Sequence, residues 1–387
     1  NHFFKNNYLF KQWTRADRVL DDFNYAKSYI THCEEKFGYR RVEQLLDSAH
    51  ALMSHAVDRY APIHRDRKSQ RQKAEDRARY EEQHFNDLWR TVPTTSDRDS
   101  ADDPKVPKLN LVLPADNVLK FVALHSPRLE PWQREILKIV CRNAQYFYPQ
   151  RQTKVMNEGC ATFVHYTIMN RMYDLGLIDE GSMLEFLRSH SSVIQQAGFD
   201  HRAFHGFNPY ALGFAMMRDI ERICVDPDDE DHHWFPDIAG CGEAWAVLRN
   251  AWAEYRDESF ILQFLSPRLI REMHLFAVSD RGEMPFLRVN AIHDEVGYRD
   301  IRSQLASMYD LSNQTPQIEV RGADLEGNRR LLLVHRGRDG KRLNSETAGR
   351  VLNHLAFLWG YGVRLDEEDS EGRFLEKHEA FPMPTDG

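Results

Sequence analysis

The chain has 387 residues, enough for two or three domains, and its 42% hydrophobic and 11% aromatic content is typical of a globular protein. It contains no apolar run of about 18 residues and no secretory signal pattern, so the sequence predicts neither a membrane span nor export. The net charge of −8 gives no electrostatic case for binding nucleic acid.

The five cysteines are scattered and form no CxxC pair, which is typical of a reducing, cytoplasmic setting. The chain starts at Asn1 in the middle of an aromatic pattern, HFFKNNYLF. We therefore expect further residues upstream of Asn1 in the whole protein.

The first 92 residues are predicted as a helical segment. Apolar residues repeat on one face between 42 and 57, and His50 lies beside that face. Residues 64–90 are highly charged and predict a solvated helix with i,i+4 ion pairs rather than a basic arm. Residues 93–111 are rich in Pro, Ser and Asp and predict a flexible linker.

Residues 112–272 predict a helical core, which contains the segment VMNEGCATFVHYTIMNRMYDLG at 155–176. Asn157 is the predicted N-cap of that helix. An apolar stripe at helical spacing predicts its core-facing side; the stripe comprises Ala161, Val164, Ile168, Met172 and Leu175.

Residues 273–367 predict a small α+β domain with strands and helices in the order ββαββαβ. Residues 368–387 are expected to form a tail. The overall expectation is an α+β protein, with a mainly helical first part and this small domain after it.

Glu158 and His165 lie seven residues apart in the 155–176 helix, so they share one face, with Thr162 between them. A buried carboxylate is costly unless it is paired, hydrogen-bonded or bound to a metal. Two readings stay open. Either Glu158 interacts with the helix dipole and His165 with a backbone carbonyl, or the pair belongs to a metal or catalytic site.

The residues MNEGCATFVHY resemble the segment N-E-G-x-A-x-x-x-E-Y that follows the zinc-binding helix of gluzincin metallopeptidases. In that family the Glu of NEG is a metal ligand, which corresponds here to Glu158, and His165 replaces the second Glu. An HExxH partner helix is missing from the sequence, since REILK has Glu135 but neither histidine. The resemblance implies a zincin-like helical domain.

Longer segments resemble the SpoVR (stage V sporulation protein R) family. They include PWQREILKIVCRNAQYFYPQRQTKVMNEGCATFVHY, FNPYALGFAMM, DESFILQFLSPRLIRE, YDLSNQTPQIEV and HLAFLWGYGVRL. The resemblance implies a cytoplasmic bacterial protein of spore cortex formation or stress physiology, whose genes accompany those of a serine protein kinase and a von Willebrand-like protein. It also implies two further His ligands upstream of Asn1, which would complete a zinc site with Glu158 and His165. Cys160 stands where many members have Trp.

Two functions follow from these expectations. The first is a zinc-dependent hydrolase of amide or peptide bonds, with Glu158 and His165 as metal ligands, His165 or Glu135 as the catalytic acid or base, and a pocket lined by His50, Thr162, Tyr166 and His190. The alternative is a non-enzymatic regulatory or scaffold protein that acts with the kinase.

Overall fold

The structure is a computed structural model. It describes residues 5–14, 18–58, 113, 115–198, 202, 206–275, 278–279, 288–289, 295–325, 327–337 and 342–382. The predicted charged helix at 64–90 and the predicted linker at 93–111 lie outside the described residues.

The chain divides into two compact units. The first comprises Asn1–Asp22 and Gln145–Pro316, and the second comprises Phe23–Ala144 and Gln317–Gly387. This division differs from the predicted boundaries at 92, 111 and 272, because within the second unit the helix Val118–His125 packs against the strand Ile318–Ala323, and the helix Tyr39–Ala51 packs against the helix Ser345–Trp359.

The described helices, in chain order, are α1 Tyr8–Trp13, α2 Val19–Phe37, α3 Tyr39–Ala51, α4 Val118–His125, α5 Pro131–Gln152, α6 Lys154–Asp174, α7 Glu180–Val193, α8 Pro209–Val225, α9 Asp229–Trp234, α10 Ala244–Glu254, α11 Asp257–Phe264, α12 Pro267–Glu272, α13 Glu295–Tyr309, α14 Leu311–Gln314 and α15 Ser345–Trp359. The strands are β1 Val278–Ser279, β2 Arg288–Val289, β3 Ile318–Ala323, β4 Leu331–Arg336, β5 Val363–Glu368 and β6 Phe374–Ala380. Among the described helices, none combines the length and the hydropathy that crossing a membrane requires.

The first unit is built around an apolar helical core. Phe10 of α1 packs in the same cluster as Val155 and Phe163 of α6 and Leu212 of α8. Asn7 fixes the start of α1: its side chain accepts from the amide of Leu9 and donates to the backbone carbonyls of Trp252 and Tyr255, at 2.8 and 2.9 Å. The N-terminal segment is thereby held against α10.

The second unit contains a four-stranded sheet in the order β3-β4-β5-β6. The β3–β4 and β5–β6 pairs are antiparallel, whereas β4 and β5 are parallel, with α15 in the connection between them. Asn344 caps the start of α15, and Gly360 ends the helix in the left-handed conformation at φ 84°. The side chain of Trp359, just before that glycine, is fully buried.

The α+β class is confirmed. The predicted strand and helix order appears as β1, β2, α13, β3, β4, α15 and β5, although β1 and β2 belong to the first unit and only the later strands form the four-stranded sheet. The segment expected as a tail contributes β6, which completes one edge of that sheet.

Candidate functional site

The helix that carries Glu158, α6, begins at Lys154, so the predicted N-cap at Asn157 is wrong. The cap residue is Thr153, whose side chain makes no capping bond, and the carboxylate of Asp257 caps the helix instead. Its two oxygens accept from the amides of Val155 and Met156, each at 2.9 Å. Asp257 is fully buried at the start of α11. Burial raises the pKa of the Asp257 carboxyl to about 7, although the amides oppose the shift.

A glycine pair lets α6 and α8 approach closely. A Cβ built on Gly159 would lie 2.5 Å from the backbone carbon and the Cα of Gly213, and one on Gly213 would lie 2.2 Å from the carbonyl oxygen of Val155. Each position therefore has no room for a side chain while the helices keep this distance. The glycine of the NEG motif has a packing role.

The buried face of α6 is not the one that the apolar stripe predicted. The buried residues of this helix are Val155, Met156, Gly159, Thr162 and Phe163. In the predicted stripe, Ala161, Ile168 and Leu175 are exposed, and Val164 and Met172 are only half-buried. The helix has two apolar faces, and the one with the glycine packs against α8.

Glu158 is half-buried next to the start of α8. Its carboxylate accepts a hydrogen bond from the Tyr210 hydroxyl, and this bond raises the pKa of Tyr210. Thr162, predicted to line a pocket, is buried, and its hydroxyl donates to the backbone carbonyls of Glu158 and Gly159. The hydroxyl of Thr162 is thus satisfied by its own helix.

His165, Tyr166 and His190 come together in one aromatic cluster of α6, α7 and α8. The cluster is completed by Phe186 and Phe214. The His165 ring centroid lies 5.0 Å from that of Phe186, and the His190 ring lies 5.3 Å from Tyr166 and 4.8 Å from Phe214. His165 is exposed, whereas His190 is buried.

The imidazole of His190 sits in an environment that disfavours its charge. Burial, with a smaller contribution from His165, lowers the pKa of His190 below its ordinary value. Its Nε2 atom has no hydrogen-bond partner among the described residues. The charged form of the His190 imidazole is therefore disfavoured, and both His190 and His165 contact the ring of Phe186.

The two other predicted residues, Glu135 and His50, belong to the second unit. Glu135 accepts from the Tyr25 hydroxyl at 3.3 Å and pairs with Arg142 at 3.2 Å and Lys138 at 3.7 Å. His50 is exposed in the last turn of α3. Glu135 has the surroundings of a surface ion-pair network.

The donor set around Glu158 is incomplete for a metal within the described residues. A metal site needs at least three protein ligands. In the described part of the chain, one group of three His, Cys, Asp or Glu side chains has ligand atoms within reach of one ion, and it comprises Glu367, Glu376 and His378 on β5 and β6. Glu158 and His165 alone do not fit a zinc ion.

Sequence reasoning missed three residues that position this region, Asp257, Gly213 and Tyr210. Asp257 stands in DESFILQF, about 100 residues from the NEG motif along the chain, and Tyr210 and Gly213 stand in PYALGF, about 50 residues from it. The signals were a carboxylate at the start of an apolar helix and a glycine inside another.

Two family models cover most of the chain. The one described as SpoVR like protein matches residues 1–314. The chain belongs to the SpoVR family. A second family model, the SpoVR-like C-terminal domain, matches residues 316–370, and the change from one to the other coincides with the boundary between the compact units after Pro316.

A relative of this SpoVR-family chain is YcgB of Escherichia coli (strain K12), which bears the description "Uncharacterized protein". The two are 46% identical over 376 residues, which cover 96% of this chain and 72% of YcgB. No solved structure matches the chain.

Proposed function

We propose that this SpoVR-family protein is a regulatory protein of sporulation or stress physiology that acts by binding a protein partner through α6 and α7. The observation that carries the proposal is an outer apolar stripe, defined as Ile168, Met172 and Leu175 of α6 with Leu177 of the following turn. Ile168 is 50% exposed, Leu175 57% and Leu177 66%. On the neighbouring α7, Leu184 and Leu187 are exposed as well.

Exposed apolar side chains that recur on one helix face mark binding surfaces more often than single ones do. Burying one leucine contributes about 1.5–3 kcal/mol, so three or four of them supply a large part of the free energy of a protein contact. Ile168, Met172 and Leu175 follow the i, i+4, i+7 spacing by which an amphipathic helix presents one face.

The hydrogen bond of Glu158 supports the same reading. A carboxylate that accepts from the Tyr210 hydroxyl on a helix fixed by Asp257 has a structural partner. The NEG segment then serves to hold α6 against α8, and the outer apolar stripe lies on the side of α6 that the described residues leave exposed.

The partner that we propose is the serine protein kinase that the family resemblance implies, with the von Willebrand-like protein as a further member of the assembly. We also propose a cytoplasmic location, which the five free cysteines support.

The test is the affinity of the purified kinase for this protein, measured by isothermal titration calorimetry. Leu177→Asp and Leu184→Asp are each expected to weaken binding by about 10-fold or more. Val225→Asp is the matched control, because Val225 ends α8 and is also 66% exposed. Equal affinity of all three variants, or no binding of the kinase at all, contradicts the proposal. A marked loss of stability of the Leu177→Asp variant, measured in the absence of the kinase, also contradicts the proposal, because the stripe would then be covered by other residues of the same chain.

The second candidate function is a zinc-dependent hydrolase of amide or peptide bonds. It is favoured by the unpartnered Nε2 of buried His190 beside the exposed His165, and by Glu158, which has no ion pair among the described residues. The two further His ligands would come from upstream of Asn1. Its test is zinc content by elemental mass spectrometry. A loss of about one zinc per chain in both Glu158→Gln and His165→Ala would support a metal centre there, and unchanged zinc in both would exclude it.

A further inference from the structure

The last two strands of the sheet place two carboxylates and an imidazole on one face. Glu367 of β5 stands directly opposite Glu376 of β6, and His378 follows two residues later on the same side of β6. One ligand atom from each of the three side chains lies within 4.8 Å of the other two. All three belong to the second unit, whereas Glu158 belongs to the first, and the inference does not depend on the proposed function.

His378 lacks the partner that a buried imidazole needs. Its side chain is only 8% exposed, and its Nε2 has no hydrogen-bond partner among the described residues. Nε2 points to Oε2 of Glu367 at 3.8 Å, which is too long for a hydrogen bond. Two ligand atoms of a tetrahedral zinc ion lie about 3.4 Å apart when each is about 2.1 Å from the metal. The distance between Nε2 of His378 and Oε2 of Glu367 is therefore close to the distance between two ligand atoms of one zinc ion.

The guanidinium of Arg342 occupies the position of a cation in this cluster. It contacts Glu367 at 3.2 Å and Glu376 at 2.7 Å. The Arg342 side chain is 50% exposed, so it can swing into solvent without leaving a buried charge. The second oxygen of Glu367 is already fixed, because it accepts from the amide of Leu343 at 2.6 Å. This bond orients the carboxylate as the outer partners of metal ligands do.

We propose that Glu367, Glu376 and His378 bind a divalent zinc ion, which displaces Arg342. Two carboxylates and a neutral imidazole carry a charge of −2, so zinc neutralises the cluster, whereas Arg342 leaves one negative charge uncompensated. The imidazole favours zinc over magnesium or calcium, which prefer all-oxygen ligand sets. Three protein ligands leave a coordination position open to water or to a further ligand. The ion ties β5 to β6 at the edge of the sheet.

The test is titration of the metal-free protein with zinc chloride by isothermal titration calorimetry, with cobalt(II) absorption as a second readout of coordination. We expect one zinc per chain at this site, and affinity reduced about 10-fold or more in Glu376→Gln and in His378→Gln. Arg342→Gln removes the competing cation and is expected to bind zinc more tightly than the parent protein.

Glu379→Gln is the matched control. Glu379 lies on the same strand but faces the other way, where it pairs with Arg330 at 3.2 Å. Its substitution, like Glu158→Gln, is expected to leave zinc affinity at this site unchanged. Thermal unfolding without zinc checks that each variant is folded. Because Glu376 is exposed, Glu376→Gln is expected to fold, and it keeps the test valid if His378→Gln does not. The proposal is overturned if the protein binds no zinc, or if Glu376→Gln and His378→Gln bind it as the parent does.

Discussion

The contact between Gly159 and Gly213 predicts that Gly213→Ala destabilises the protein although alanine is the better helix former. A methyl group at Gly213 would lie 2.2 Å from the Val155 carbonyl oxygen and 2.7 Å from the Cα of Gly159. Ordinary contact needs about 3.5 Å, so the backbones of α6 and α8 would have to separate by about 1 Å. Overpacking of this kind costs about 1–3 kcal/mol or more, and alanine regains about 1 kcal/mol of helix propensity. The obstructing atoms are backbone and cannot rotate away. The cost is therefore at the upper end of this range, about 3 kcal/mol, and we expect a net loss of about 2 kcal/mol.

The assay is urea unfolding followed by far-ultraviolet circular dichroism, with Gly349→Ala as the control. Gly349 lies inside α15, and a Cβ there meets no atom within 4 Å, so its substitution is expected to stabilise by up to about 1 kcal/mol. If Gly213→Ala is as stable as the parent, or gains stability as Gly349→Ala does, then α6 and α8 do not pack at this distance and the packing role of the NEG glycine is refuted.

Two further predictions concern buried carboxylates. Because burial raises the pKa of Asp257 from 3.8 to about 7, the folded state holds a proton that the unfolded state has released, and stability falls as pH rises from about 4 to 7, by up to about 4 kcal/mol. Asp257→Asn lacks this pH dependence, so urea unfolding at about pH 5 and pH 8 should show that the stability of the variant relative to the parent is greater at pH 8. The opposite trend would mean that the hydrogen bonds from the two amides outweigh burial in setting the pKa of Asp257. Burial alone would raise the pKa of Asp231, but the hydrogen bonds from Arg222 and from the Asp228 amide outweigh burial and hold this pKa below its ordinary value. The ionised Asp231 therefore stabilises the folded state at neutral pH, and this stabilisation is lost as pH falls through the lowered pKa. Asp231→Asn is expected to cost about 3 kcal/mol at neutral pH and to flatten the acid limb of the stability curve, and an unchanged acid limb would contradict the assignment.

The order of elements was accessible from sequence because it depends on local periodicity. The alternating apolar residues of β3, β4 and β5 and the glycine that ends α15 act within a few residues. The position of β6 was missed. Its residues are mostly exposed, so FLEKHEA has no clear apolar alternation, and its pairing with β5 decides its structure.

The start and the buried face of α6 could not be predicted, because distant residues determine both. Asp257, about 100 residues further along, supplies the cap that Asn157 was expected to provide. Periodicity detected an apolar stripe but not which of two faces is buried, and that choice rests on the meeting of Gly159 with Gly213. The sequence likewise indicated His165 and His190 one by one, but it could not predict the aromatic cluster around them, because that cluster joins residues of three helices.

The most direct measurement of the central claim is hydrogen–deuterium exchange of this protein with and without the serine protein kinase, read by mass spectrometry. The account predicts that the kinase slows exchange in residues 164–187, which contain the outer apolar stripe and the first half of α7, and leaves β5 and β6 unchanged. Unchanged exchange in 164–187, or protection confined to other segments, would contradict it.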